Sequence, residues 1–532
     1  MISSNLLRFL GKFLKSSKIF NHMKDRILFW IDAGLMHFGV AKNLQKLLDA
    51  ELYAIYDLNN HLAKSFKKQK LVNFKKEWYF WENISGINKT IDIEYLKKFE
   101  EKFKINLWEI AYTERGFYKY NPFYKFKREE ILSIFEQECK FFENVLDEVK
   151  PNFLIIKTTD LHRNHLLAEI CRSSGIKILM LSASRLGFRS AISSQSDKID
   201  YELDEKSENK IEIHSFDHLK EYLKKYNKFQ QVKGIDSGGM SIPFPKKINQ
   251  GLRWMGETFD DEYKQDYVHY GVSRYSAVKE YFSVMLKGKR RKFFIDKHSF
   301  YKIISDEKFV FFPLQVQPER NVDIDAPFYA NQIEVVTNIA KALPADYKLY
   351  VKEHPKMYLR HWREISDYKE IIELPNVKLI HPSVDPKNLL KNCSLVITIA
   401  GTTGLDAAIY KKPCIVFADT IYSTLPSVYR LESLEKLPDA IKESLKKEVQ
   451  LSDVTEFISI LDRNSFDFDF FGNVGKIMNE LHEGGFLISN NISMNQLESF
   501  FEKNKEDYNI LTSEHIKKIN QYKKLESNNI SN

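Results

Sequence analysis

From about residue 305 five short, continuously apolar runs alternate with four stretches at helical spacing, each run ending in a polar turn. The runs are FVFFP (309–313), KLYVK (348–352), VKLI (377–380), LVITI (395–399) and CIVFA (414–418), with helices expected over 328–342, 358–372, 385–391 and 403–410. Runs this apolar are buried on both faces, as in a parallel sheet whose crossovers are helices. Residues 305–440 therefore read as one open parallel α/β domain.

The first half carries the same alternation less regularly. ILFWI (27–31), LYAIY (52–56), FLIIK (153–157) and IKILML (176–181) read as strands, with helices near 39–49, 128–148 and 163–174, the last closing at Gly175. Residues 202–250 are polar and read as linker, and 251–300 as a helical insertion ending in the basic run KGKRRK (287–292), taken as a solvated face. At 532 residues the chain exceeds a single core. The expected division is an amphipathic segment (1–25), an N-terminal α/β domain (26–200), linker and insertion (201–304), the C-terminal α/β domain (305–440), and helices with a polar tail (441–532). The last residues, KKLESNNISN, are expected to be disordered.

Composition removes several classes of function. The four cysteines, Cys139, Cys171, Cys393 and Cys414, are far apart and form no C-x-x-C pair, so a structural zinc site is not expected and the pattern fits a reducing cytoplasm. A net charge of +8 permits an anionic ligand or membrane surface without demanding nucleic acid, and no nucleic-acid motif is present. No apolar run is long enough to span a bilayer. At the N-terminus Leu6, Leu7, Leu10, Phe13 and Leu14 recur among Arg8, Lys12, Lys15 and Lys18. That segment reads either as a helix on an anionic membrane face or as one docked on its own domain.

In an open parallel sheet, ligands bind beyond the carboxyl ends of the strands. The polar residues of the second half fall there: Gln315, Gln317 and Glu319; Lys352, Glu353 and His354; His381 and Ser383; Gly401, Thr402, Thr403 and Gly404; Asp419 and Tyr422. In TIAGTTGLDAA a strand enters a glycine-flanked turn that opens a helix, where free amides and the Thr402 and Thr403 hydroxyls form an anion site. This is neither a Walker motif nor G-x-G-x-x-G. A cationic His354, directed by Pro355, would neutralise a leaving phosphate. In the first half Asp160 and Asp32 sit at strand ends as carboxylate bases. Asp160 is preferred because Arg163, Arg185 and Arg189 would line the same edge; the alternative for Asp160 is a helix N-cap. His37 is expected at the cleft.

FFPLQVQPER, LYVKEHP, LPNVKLIHPS and VITIAGTTGLDAAIYKKPCIVF resemble the bacterial capsule polysaccharide biosynthesis family, which includes β-Kdo transferases. INLWEI (105–110), the Glu114-Arg115 pair and FFENVLDEVKPNFLII (141–156) extend the likeness. The resemblance implies a GT-B-like α/β fold: two Rossmann-like domains facing a cleft, with helical insertions, the donor nucleotide in the C-terminal domain and the acceptor chiefly in the N-terminal one. It implies a membrane-associated, cytoplasmic glycosyltransferase, metal-independent and inverting, with no cofactor beyond a CMP-sugar donor and a glycan or glycolipid acceptor at the inner membrane face. In related CMP-sugar transferases the His-Pro histidine and a Ser/Thr pair contact the donor phosphate, which implies that role for His354, Thr402 and Thr403. Asp160 and His354 are thus the expected catalytic residues. Gln315, Lys352, Glu353, Ser383, Gly401, Thr402 and Thr403 are expected at the donor. A CDP-alcohol polyol-phosphate transferase, a nucleotide-sugar epimerase and an inactive glycan-binding relative are the competing readings.

Overall fold

The computed structural model describes residues 24–84, 90–117, 119–196, 198–204, 212–229, 274–303, 306–355, 357, 363–482 and 492–531. The amphipathic segment 1–25 lies almost wholly, and residues 230–250 of the expected linker wholly, outside the described residues. Two six-stranded sheets organise the chain. The first holds β1 (Asp25–Asp32), β2 (Ala50–Asp57), β3 (Lys76–Tyr79), β4 (Phe153–Lys157), β5 (Lys177–Ala183) and β6 (Ser190–Ser193), in the spatial order β3-β2-β1-β4-β5-β6. The second holds β7 (Phe309–Pro313), β8 (Lys348–Lys352), β9 (Val377–Ile380), β10 (Leu395–Thr398), β11 (Cys414–Val416) and β12 (Val428–Arg430), in the order β12-β11-β10-β7-β8-β9.

Read from its other edge, the second order is the first. Each sheet starts at a central strand, grows outward for three strands, then returns to the centre and grows the other way. The pairings are parallel except β5 with β6. The fold is two Rossmann-like α/β domains, GT-B-like as expected. The reversal points, between β1 and β4 and between β7 and β10, are where such sheets open a crevice.

Residues of β1 and β4 alternate between two cores. Ile27, Phe29 and Ile31 face one side of the first sheet; Leu28 and Trp30 face the other, under α2 (Arg128–Val149) and α3 (His162–Ser173). The first side is covered by α1 (Met36–Leu47) and by α6 (Phe470–Glu480), α7 (Met494–Lys503) and α8 (Lys505–Ser531), which return from the far end of the chain. The tail expected to be disordered is therefore helical to Ser531. Upstream of it in α8, Tyr508, Leu511, Ile519 and Tyr522 are buried against the N-terminal domain, and Lys518 is ion-paired with buried Asp200 at 2.8 Å. Part of the expected linker is also ordered: Phe216, Leu219 and Tyr226 join the core of the second domain. Of the expected insertion, the described residues form α4 (Arg274–His298).

Candidate functional site

At the first reversal point, strand direction brings three charged groups together. Lys157, the last residue of β4, binds Asp32 at the end of β1 (2.7 Å) and reaches Asp160 at 3.5 Å. Burial pushes the Lys157 ammonium down, but the charges of Asp160 and Asp32 outweigh it and lift it above its ordinary range. Burial likewise pushes Asp160 up, and the charges of Lys157 and Arg115 with an Asn164 hydrogen bond hold it below its ordinary value. The carboxylate is thus ionised and fixed.

Asp160 is not the helix N-cap. Leu161 occupies that position, and the Asn164 side chain does the capping, accepting from the Asp160 and Leu161 amides (3.2 and 3.1 Å) and donating to Asp160 Oδ1 (3.0 Å). The first turn of α3 is anchored beneath by fully buried groups. Glu114 accepts from the His162 amide (3.0 Å) and faces Nδ1 (2.6 Å), while Glu138 faces Nε2 (2.9 Å). Burial works against the charge on His162, but the two carboxylates raise it to about 9.

Two residues expected beside Asp160, Arg163 and Arg189, and one expected at the cleft, His37, are held by other partners. Arg163 is buried, bound to Asp57 at 2.8 Å and stacked over Trp81. Arg189 is spent on Asp462, Asp467 and the Ser465 carbonyl. His37 is buried edge-on to His515 of α8, held well below its ordinary range by burial and the His515 charge. Each was misplaced because its partner lies in another element. Exposed Arg115, quoted only for its motif, bears on Asp160 with its charge more strongly than Arg163 does.

At the second reversal point buried Gln315 spans the gap from β7 to the turn after β10. Its amide oxygen accepts from the Thr398 hydroxyl (2.9 Å) and the Ala400 and Gly401 amides (3.1 and 2.7 Å). Gly401 is required because a Cβ would stand 2.7 Å from the Gln315 amide, and Gly404 because one would stand 2.5 Å from the Tyr422 ring. The glycines thus serve packing. The amides of Thr402 and Thr403, at the start of α5 (Thr403–Ile409), bond no acceptor among the described residues, and both side chains reach solvent.

The loop after β7 rests on a buried polar network. Arg363 donates to Glu353 (3.0 Å), Gln317 (3.2 Å) and the Gln315 carbonyl (2.7 Å); Tyr368 donates to Glu353 (2.7 Å); Gln332 joins Gln315 to Gln317. Glu353, expected at the donor, is 1% exposed and serves this network. Lys352 is also buried, donating to the Pro382 carbonyl (3.0 Å), and burial lowers it to about 8. Ser383 is exposed and bound to His381, which pairs with Asp296 of α4 (3.1 Å), so this second His-Pro belongs to the insertion rather than the crevice. His354 is half-buried at the turn after β8.

The domains meet beside Asp160. Arg320, on the loop that this network braces, donates to the carbonyl (2.8 Å) and hydroxyl (2.9 Å) of Thr159 and pairs with Asp325 (2.7 Å). Arg185 reaches Asn321 across the same join (3.4 Å). Behind Arg320 lies a polar cavity of about 210 Å³ between the domains, lined by Arg172 and Lys198 on one side and Asp419 and Arg430 on the other. Neither Arg320 nor Lys157 was singled out in the sequence, since each ends a motif read for its neighbours.

Residues 252–437 match the family described as "Capsule polysaccharide biosynthesis protein". Protein FixF of Sinorhizobium fredii (strain NBRC 101917 / NGR234) is 28% identical over 136 residues, which cover 25% of this chain and 32% of that protein, so the match spans about a third of its length. Thermosulfurimonas dismutans KpsC, a beta Kdo 2,7 transferase, is similar at 12% identity, over 68% of this chain and 93% of that one, with a TM-score of 0.30. The UDP-GlcNAc 2-epimerase from Methanocaldococcus jannaschii is similar at 16% identity, over 83% and 99%, with a TM-score of 0.23.

Proposed function

We propose that this chain, whose residues 252–437 match the capsule polysaccharide biosynthesis family, is a glycosyltransferase that moves a sugar from a CMP-activated donor, Kdo-like in charge, to a glycan or lipid-linked acceptor. The observation that carries the reading is Asp160: an ionised, fixed carboxylate at the first crevice, one residue from the Thr159 strap that binds the second domain's β7 loop.

Asp160 takes the proton of the acceptor hydroxyl as that oxygen attacks the anomeric carbon from the face opposite the phosphate. A single displacement of this kind inverts the centre. The cost is basicity, because a carboxylate held below its ordinary range is a weak base. An anionic donor bound nearby offsets this by raising the Asp160 pKa as it binds. The Thr402 and Thr403 amides and hydroxyls receive the departing phosphate, with His354 supplying positive charge. These groups do the work usually given to a divalent ion, so EDTA leaves the rate unchanged.

The test is a donor comparison. Purified protein is incubated with CMP-Kdo, CDP-glycerol or UDP-GlcNAc, with and without a glycan acceptor, and the products are resolved. The account predicts CMP release from CMP-Kdo, accelerated by acceptor. Turnover of CDP-glycerol instead would make this a polyol-phosphate transferase, and acceptor-independent conversion of UDP-GlcNAc would make it an epimerase.

A further inference from the structure

Helix α4 is fastened to the second domain along one face. Gly288, Arg291 and Ile295, at i, i+3 and i+7, lie on that side: Ile295 enters the domain core, and buried Arg291 is ion-paired with Glu364. The outward face carries Leu286 and Phe293, two turns apart, with Met285 beside them; they are 59%, 71% and 43% exposed. Lys289, Arg290 and Lys297 stand at i+3, i+4 and i+11 from Leu286, exposed on the same side, and exposed Lys287 and Lys292 border it. Single exposed apolar residues are ordinary, but large ones repeated on one outward face among cations need an explanation.

Charge chooses among the possible partners. Between 285 and 297 there are six cations and one acid, Asp296, which already bonds Lys292 and His381. A second copy of the chain docked through this face would set those cations against one another. An anionic bilayer does the reverse: phosphate headgroups meet the lysines and Arg290, whose aliphatic stems lie along the interface while Leu286 and Phe293 reach the acyl boundary.

We propose that the outward face of α4 is a docking surface for anionic membrane lipid. The surface is distinct from the crevice, and it adds to the proposed function by holding the protein where a lipid-linked acceptor resides.

The test sediments the full-length protein with vesicles of phosphatidylcholine alone or mixed with phosphatidylglycerol. The protein should bind the mixed vesicles, less at higher salt, and bind phosphatidylcholine weakly. Leu286→Ser with Phe293→Ser should weaken binding at least roughly tenfold, and Lys289→Glu with Arg290→Glu should do the same, both at unchanged melting temperature. Undiminished binding in both variants would overturn the proposal and put the contact elsewhere, for instance in the first 23 residues. Failure of the wild type to bind, or a change of oligomeric mass in the variants, would overturn it too. Transfer onto a water-soluble acceptor, measured alongside, should be unaffected, so failure of the chemistry and failure of docking are distinguishable.

Discussion

His162 has no exposed surface, yet both its ring nitrogens face carboxylates, and the three groups together hold the first turn of the helix after Asp160. Burial alone would discharge the ring; Glu138 and Glu114 reverse that, raising it from 6.5 to about 9. Stability from a raised histidine is fully present below its unfolded value of 6.5 and is lost as pH climbs through 9. Glu114 is lowered to about 2 despite its burial, chiefly by the His162 charge, so its contribution is complete above 4.5 and is lost as pH falls through 2. The melting temperature should therefore decline from pH 6.5 to 9.5. His162→Gln should cost roughly 3–5 kcal/mol at pH 6.5 by leaving buried carboxylates unpaired, and should remove this alkaline decline. An unchanged slope in the variant would show that the ring is not charged.

The same scale explains which site residues were legible. A polar residue at the end of a strand looks alike in sequence whether it meets a ligand or another part of the chain. Asp160 kept its expected place because strand register alone put it there. Glu353 and Gln315 carry intramolecular bonds that the sequence did not show, because their partners Arg363 and Thr398 are brought up only by the fold. Thr402 is exposed and Thr403 half-buried. Replacing both by alanine should weaken CMP binding with the melting temperature unchanged, since neither side chain caps its helix. Normal binding would mean that the turn is scaffold.

Among elements, burial on both faces made the central strands readable, and their limits match within a residue or two. The strands that escaped notice are at edges: Lys76–Tyr79 is half charged and half-exposed, Ser190–Ser193 is half serine, and Val428–Arg430 is three residues long. A helix's apolar face announces that it will be covered, not by what, so the return of α6, α7 and α8 to the first domain was not readable. Gly39 of α1 records that contact, since a Cβ there would stand 2.4 Å from Tyr508 and 2.5 Å from Phe501. Helix propensity favours alanine over glycine by about 1 kcal/mol, while overpacking costs about 1–3 kcal/mol. Gly39→Ala should therefore destabilise the protein and speed hydrogen exchange across 494–531. A rise in melting temperature would contradict this packing.

For the whole molecule, two sheets of one strand order meet where Arg320 straps the second domain's loop to Thr159, the neighbour of Asp160. That arrangement leads to one central claim: Asp160 removes the proton from the acceptor. Asp160→Asn keeps the size and the hydrogen bond with Asn164 but cannot accept a proton. The measurement is transfer rate from CMP-Kdo for both proteins, with CMP affinity determined on the same preparations. The account predicts a fall in turnover of roughly 10²–10⁴ with CMP affinity essentially unchanged; near-normal transfer by Asp160→Asn would contradict it and move the search for the base to Asp32.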